Sequence, residues 1–233
     1  MRWLFALVAG LFGAVAVEAQ TALTVPRTVI DARMRGGVTR YRLVPEGRAQ
    51  PDTTAWTVEW RRLKSADEPF AVQVMIATSH GETTIDSLLF NYRTLTPVWE
   101  HVHGADSQAV EFSTSRITGR SGLRRIDIAT PGVAYSSTMD NIVIQCLALA
   151  AGYHVVLPFW DGDHLEMDTV RVRPPGTRQG NGASAWVVDF VEPYATETLW
   201  IDRTSRRVLR HVYTSTRDGT RSIVLVSSGV GHS

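Results

Sequence analysis

The chain has 233 residues, 24 Lys and Arg against 23 Asp and Glu, and a formal net charge of +1. This balance argues against a binder of nucleic acid or of an anionic membrane surface, because both need a basic excess. Cys146 is the one cysteine, so an internal disulfide is excluded and the packing of a core must stabilise the fold.

Residues 1–19 have the three parts of a secretory signal peptide. Arg2 gives the positive start, an apolar run follows, and Val17 and Ala19 are small residues before a predicted cleavage site at Gln20. The apolar run of about 15 residues is shorter than the roughly 20 that a spanning helix needs. We therefore predict a periplasmic or secreted protein with a signal peptide at 1–19, a single β-rich domain at 20–233 and no transmembrane anchor after processing.

Short strands are predicted at intervals of about 10 residues, a spacing typical of an all-β sandwich or barrel. Alternation places Trp56 and Trp60 on one face of their strand, and it places the apolar Val74 opposite Gln73 on the next. The strands predicted before the helix are Val38–Val44, Ala55–Leu63, Phe70–Thr78, Thr83–Tyr92, Pro97–His103, Ala109–Thr114 and Leu123–Ile128.

One helix is predicted over Thr138–Ala151, with Ser137 able to cap its start and Gly152 able to end it. Nearly all of its side chains are apolar, so the helix must be covered on most sides. The natural cover in a β-rich chain is a strongly curved antiparallel sheet, an incomplete barrel. Such an arrangement leaves an apolar cavity beside the helix.

Two further strands, Tyr153–Trp160 and Met167–Val172, are predicted after the helix. The segment Pro174–Gly182 is rich in Gly and Pro and is predicted to be a flexible surface loop. The stretch from Ala183 to Val226 is then predicted to form an antiparallel meander of four strands joined by short turns.

Several segments resemble exported bacterial proteins of the lipoprotein-carrier type (LolA-like) and their relatives of unknown function. They are Asp86–Phe90, Arg93–Glu100, the LALAAGY stretch that begins at Leu147, and Leu199–Arg203 with Arg207–Arg210. The resemblance covers roughly residues 55–226 and implies an incomplete antiparallel barrel around a helix with an apolar interior. In carriers this interior holds acyl chains. No functional residue of that family can be transferred to a particular position here.

These features predict a non-enzymatic protein without a cofactor that binds a hydrophobic ligand, either an acyl chain or a lipidated envelope protein, in a half-barrel groove. Two alternatives stay open: a structural or interaction module whose core is filled by its own side chains, and a metal-dependent hydrolase. The candidate groove residues are Trp56, Trp60, Val74, Ile142, Cys146, Leu149, Trp186 and Trp200.

The hydrolase alternative depends on His101 and His103, which share one face of a predicted strand at metal-ligand spacing. Further ligands could come from His154 or from the turn that contains Asp161, Asp163 and His164. An exposed strand end and an acidic turn account for the same residues more simply, so no metal site is predicted.

Overall fold

The structure is a computed structural model that describes residues 37–46, 54–63, 69–104, 107–150, 153–172, 176–180, 183–204, 206, 208–217, 219 and 221–229. The predicted signal peptide lies outside the described residues. The strands are β1 Gly37–Pro45, β2 Ala55–Arg62, β3 Phe70–Ser79, β4 Glu82–Asn91, β5 Thr96–His103, β6 Gln108–Phe112, β7 Arg116–Ser121, β8 Arg124–Ala129, β9 Tyr135–Ser136, β10 Val155–Asp161, β11 Glu166–Val172, β12 Gly176–Gly180, β13 Ala183–Val191, β14 Ala195–Asp202, β15 Val208–Ser215 and β16 Arg221–Gly229. A 3₁₀ turn, Ser137–Met139, leads into the helix α1, Asp140–Cys146.

All of these strands belong to one continuous sheet, which begins at β8 and runs in descending order to β1. It continues through β16, β15, β14, β13, β11 and β10 to β9, while β12 pairs with β13. The pairs are antiparallel except for the short parallel contact of β9 with β10. The prediction of a mainly β fold with one strongly curved, unclosed sheet around one helix is confirmed.

The sheet coils until its β6–β8 end covers the outer face of β10. Phe159 and Trp160 are successive residues of β10, so their side chains point to opposite faces. Phe159 belongs to the main core with α1, whereas Trp160 packs with Val110 and Ile117 in a second cluster. β10 is therefore buried on both faces, which explains its almost continuous apolar sequence, VVLPFW.

The helix is shorter than predicted, because α1 ends at Cys146 and not at Ala151. Leu147 has extended backbone angles (φ −63°, ψ 147°). In the sequence Leu-Ala-Leu-Ala that begins there, Leu147 and Leu149 are buried while the alanines between and after them are exposed. An extended segment buries both leucines on one side, whereas helical spacing would separate them by 200°.

Two strand predictions are also corrected. Arg116–Ser121 is a full strand that was not predicted, because glycine, here Gly119, is typical of turns. A Cβ at Gly119 would lie 2.0 Å from the Ala109 carbonyl oxygen, so glycine is needed for the close approach of β6. The segment Pro174–Gly182, predicted to be a loop, contains β12, which pairs with β13 along its whole length.

The helices in the described part of the chain are too short to traverse a bilayer.

Candidate functional site

The interior of the curved sheet holds α1 and the extended segment that follows it. The main core contains buried apolar side chains from this part of the chain, namely Met139, Val143, Ile144, Cys146, Leu147 and Leu149. The sheet contributes the surrounding apolar wall, formed by Leu88, Phe90, Leu157, Phe159, Val170, Val172, Trp186, Val188, Phe190, Leu199 and Ile201. The two together form an apolar interior of the kind predicted from the sequence.

Within the described part of the chain, the segment after α1 is held by few polar contacts. Arg206 Nη1 donates a hydrogen bond to the Leu147 carbonyl oxygen at 3.3 Å. The Leu149 N–H donates to that same carbonyl at 2.8 Å, and the Tyr153 N–H donates to the Ala150 carbonyl at 3.0 Å. The position of this segment therefore depends mainly on the burial of its apolar side chains.

Five of the candidate groove residues lie in or against this interior. Cys146, Leu149 and Trp186 are buried members of the main core, and Trp60 and Ile142 are partly buried against it. The thiol of Cys146 is buried. Whether these residues bind a ligand stays a prediction.

The other three candidates lie elsewhere. Val74 points to the outer face of β3, because the buried positions of that strand are Ala71 and Gln73 and the alternation is the reverse of the predicted one. Trp200 lies on the outer face of β14, where the Arg210 guanidinium packs 4.8 Å from its ring centroid.

Trp56 is on the inner face, but its ring stacks on Tyr41 with centroids 5.2 Å apart. Trp56 is not part of the main core around α1.

A row of buried side-chain hydrogen bonds joins the sheet to the start of α1. Ser136 Oγ donates to Glu100 Oε1 at 3.0 Å, and Thr138 Oγ1 donates to the same oxygen at 3.3 Å. Gln73 Nε2 donates to the Thr138 carbonyl oxygen at 2.7 Å. Ser136 Oγ also caps the 3₁₀ turn by accepting the Thr138 N–H. Side chains, and not a backbone ladder, therefore connect β3 and β5 to the first turn before α1.

The row continues at the β10–β11 turn, where Gln108 Nε2 donates to the Gly162 carbonyl oxygen at 3.1 Å. We name this row, formed by Gln73, Asp86, Glu100, Gln108, Ser136, Thr138 and Gly162, the polar seam. It lies where the sheet overlaps itself, and together with the second cluster around Trp160 it connects parts of the sheet that a closed barrel would join by main-chain pairing.

Asp86 and Glu100 form a buried carboxyl pair within the polar seam, with their side chains hydrogen-bonded to each other. Burial raises the pKa of Asp86 to about 6. Burial, reinforced by the neighbouring Asp86 charge, raises the pKa of Glu100 well above its usual range. Two adjacent buried carboxylates cannot both ionise cheaply, so the pair favours a state in which Glu100 is protonated and donates a hydrogen bond to Asp86.

A second buried polar group lies at the other side of the first turn of α1. His211 Nε2 lies 2.8 Å from Glu197 Oε2, and both side chains are nearly inaccessible. Burial alone lowers the pKa of His211, but the adjacent Glu197 and the nearby Asp140 outweigh it, so the pKa is raised. Burial and the Glu197 charge raise the pKa of Asp140 to about 7. We name Asp140, Glu197 and His211 the interior acid–histidine cluster.

The sequence carries only weak signals for these buried polar residues. Asp86 shares its face of β4 with the buried Leu88 and Phe90. The alternation along the strand could therefore have predicted that its carboxyl group is buried. His211 could not be assigned a face, because the register shifts between Trp200 and Ile201 and breaks the alternation on the facing β15.

The candidate metal ligands stay apart from these groups. His101 is exposed and stacks on Trp99 with ring centroids 4.6 Å apart, and His103 is exposed at the end of β5. His164 Nδ1 lies 2.6 Å from Asp161 Oδ2, an exposed contact within one turn. The described residues contain no group of three or more His, Cys, Asp or Glu side chains that could hold a metal ion.

Comparison with protein families gives no match, and comparison with curated protein sequences gives none either. Among solved structures, the chain is similar to the crystal structure of a β-barrel-like protein of the domain of unknown function DUF1849 from Brucella abortus. The TM-score is 0.54 at 9% sequence identity, and the match covers 86% of this chain and 100% of that chain. This likeness concerns the fold, and it agrees with an unclosed, barrel-like sheet.

Proposed function

We propose that the chain is an exported, non-enzymatic protein that binds an acyl chain or a lipidated partner inside its curved sheet. One observation carries this proposal: the interior of an unclosed sheet is filled by a short apolar segment of the chain itself. Support comes also from the barrel-like neighbour and from the LolA-like segments of the sequence.

The segment that fills the interior is suited to exchange with an apolar ligand. α1 has seven residues, whereas isolated helices shorter than about 12–15 residues are marginal in water. Its place is therefore determined by burial of Val143, Ile144 and the residues after Cys146. An acyl chain offers the same apolar contacts at about 0.8 kcal/mol per buried methylene. A ligand that displaces Leu147 and Leu149 would thus regain much of the burial free energy that these two side chains lose.

The polar contacts make this displacement directional. The start of α1 is fixed by the polar seam through Ser136 and Thr138. The segment after it has one described side-chain hydrogen bond to its carbonyls, from Arg206 to Leu147. We therefore expect a ligand to enter from the Leu147–Ala150 side while the polar seam stays closed.

Native mass spectrometry of the protein purified from its own cell envelope tests this function. We expect a non-covalent adduct of lipid mass that disappears after denaturation, and N-terminal sequencing of the same sample should begin at Gln20. A clean apo mass, together with failure of the delipidated protein to take up a fluorescent fatty acid, would count against ligand binding.

A second candidate function is an envelope interaction module with a self-filled core. It is favoured by the burial of Cys146, Leu149 and Trp186 in the main core, where the chain's own side chains surround them. The two functions differ in the uptake experiment, because a self-filled module takes up no fatty acid yet still binds a protein partner.

A further inference from the structure

The strand β8 is an open edge of the sheet, paired with β7 alone among the described strands. The Thr130 N–H donates to the Ser115 carbonyl at 2.9 Å. In the register of the two strands, Thr130 and every second residue before it in β8 therefore direct their backbone groups towards β7. Backbone groups alternate in an antiparallel pair, so those of Arg125, Asp127 and Ala129 point away from β7. These three residues therefore present, at the edge, N–H and C=O groups that do not pair with any described strand.

The β7–β8 hairpin is strongly basic in a chain of net charge +1. Residues 116–129 contain four arginines and one aspartate. Arg120 lies directly opposite Arg125 on the outer face, an arrangement of like charges that costs stability. Asp127 binds Arg116 and lies 3.4 Å from Arg125, so it cannot neutralise the whole face.

A cleft of about 450 Å³ runs beside this edge, lined by Arg124–Ile128 and Leu165. Ile126 and Ile128 form its apolar part together with Leu165, and all three pack in the second cluster around Trp160. The cleft thus combines edge hydrogen-bonding groups, apolar surface and positive charge within one strand length.

We propose that β8 accepts an added strand from a partner protein, and that this strand is an extended acidic peptide with alternating apolar residues. The backbone groups of Arg125, Asp127 and Ala129 supply the main-chain hydrogen bonds. The partner's acidic side chains neutralise Arg120 and Arg125, and its apolar side chains enter the cleft beside Leu165. Arginines at an edge discourage pairing with an apolar strand, so the same residues select an acidic one. This docking surface is independent of ligand binding in the interior.

The test uses the full chain and a fluorescein-labelled heptapeptide of alternating Glu and Val, with alternating Lys and Val as the control probe. Fluorescence anisotropy should give saturable binding of the Glu peptide, weakened about tenfold or more for the Lys peptide. Arg125→Pro removes an edge N–H without breaking the β7 ladder and should abolish binding, whereas Arg125→Ala should only weaken it.

Amide chemical shifts of the unmodified protein give a readout that does not depend on the folding of the proline variant. Addition of the Glu peptide should shift the amides of Arg125, Asp127 and Ala129 more than those of Ile126 and Ile128. Absence of binding, equal binding of the two peptides, or shifts confined to another part of the sheet would overturn the proposal. Self-association of the chain through β8 in place of peptide binding would overturn it as well.

Discussion

Asp86 is a carboxylic acid on the apolar face of β4, between the strand's exposed start and the buried Leu88 and Phe90. Burial disfavours ionisation of both Asp86 and Glu100, so the pair is most easily accommodated with a proton between the two carboxyl groups. The raised pKa of both groups means that the folded protein binds protons more tightly than the unfolded chain does. The pair therefore costs least at acidic pH, and the cost grows as the pH rises through the folded pKa of Asp86, about 6.

We predict that Asp86→Asn relieves this cost at high pH. Between about pH 4.5 and about pH 8, the free energy of unfolding of the variant should rise by about 2 kcal/mol relative to the unmodified protein, because asparagine has no proton to lose. Urea unfolding at both pH values measures the change. Glu82→Gln, at the exposed start of the same strand, is the matched control and should show no such change.

We predict that His211→Ala destabilises the protein by about 3 kcal/mol at about pH 6, because it leaves Glu197 buried without its cation. The pKa of His211 is raised, so its contribution is fully present below about pH 6.5 and is lost as the pH rises through the folded value. The destabilisation measured by urea unfolding should therefore shrink towards about pH 9. The exposed His101→Ala should have little effect at either pH. An equal loss for both variants would contradict the role of the interior acid–histidine cluster.

Among the secondary-structure elements, the segment after α1 differs from the prediction, because it is extended where a helix was predicted. The Leu149 N–H to Leu147 carbonyl hydrogen bond closes a three-residue turn at Ala148, whose φ is not positive. Such an inverse γ-turn has a central φ of about −75°, close to the value that proline requires. Leu147 also has the extended angles that a residue before proline prefers.

We predict that Ala148→Pro changes the free energy of unfolding by less than about 1 kcal/mol. Ile144→Pro, inside α1, should cost about 3 kcal/mol or more, because proline breaks a helix. Urea unfolding of the two variants decides between the observed segment and a helix continuing to Ala151. A large loss for both would mean that the helix continues.

Strand positions were largely predictable because runs of β-branched and aromatic residues between turn residues depend on local chemistry. The predicted Phe70–Thr78 and Pro97–His103 each differ from the observed strand by one residue at one end, and Val38–Val44 differs by one residue at each end. The faces were less predictable. Both sides of β3 carry apolar residues, and the choice of Gln73 for the interior depends on its contact with Thr138, 65 residues away in the chain.

At the scale of the whole molecule, a curved sheet around an apolar helix could be inferred, because such a helix must be covered. The overlap of β6–β8 on β10 could not be inferred, since it depends on contacts between distant segments such as Val110 and Trp160. The candidate site was predicted only in its apolar half. Its buried polar half includes the contacts of Gln73 with Thr138 and of Ser136 with Glu100, whose partners become neighbours only after the sheet coils.

Several acidic side chains of the protein have raised pKa values, and all of them change the stability of the fold with pH in the same direction. The pKa values of Asp86, Glu100 and Asp140 are raised, burial being the largest cause in each, and burial also raises that of Glu192 to about 9. Each of these carboxyl groups costs least at low pH, where it is protonated, and, as with His211, the folded state loses stability relative to the unfolded chain as the pH rises. We predict that the midpoint of thermal unfolding falls steadily from about pH 5 to about pH 9, as measured by circular dichroism. A maximum near neutral pH would contradict this.

An apolar ligand that replaces the segment inside the sheet would expose Cys146, so the thiol of this residue reports directly on ligand binding. Its reaction rate with Ellman's reagent should be slow in the delipidated protein, where the side chain is buried, and should increase as a dansyl fatty acid saturates the protein. The control, Cys146→Ser with Ala148→Cys, places the thiol at an exposed position and should react rapidly with or without the fatty acid. Uptake of the fatty acid with an increased Cys146 rate is the predicted result; no uptake, or uptake that leaves the rate unchanged, would contradict it.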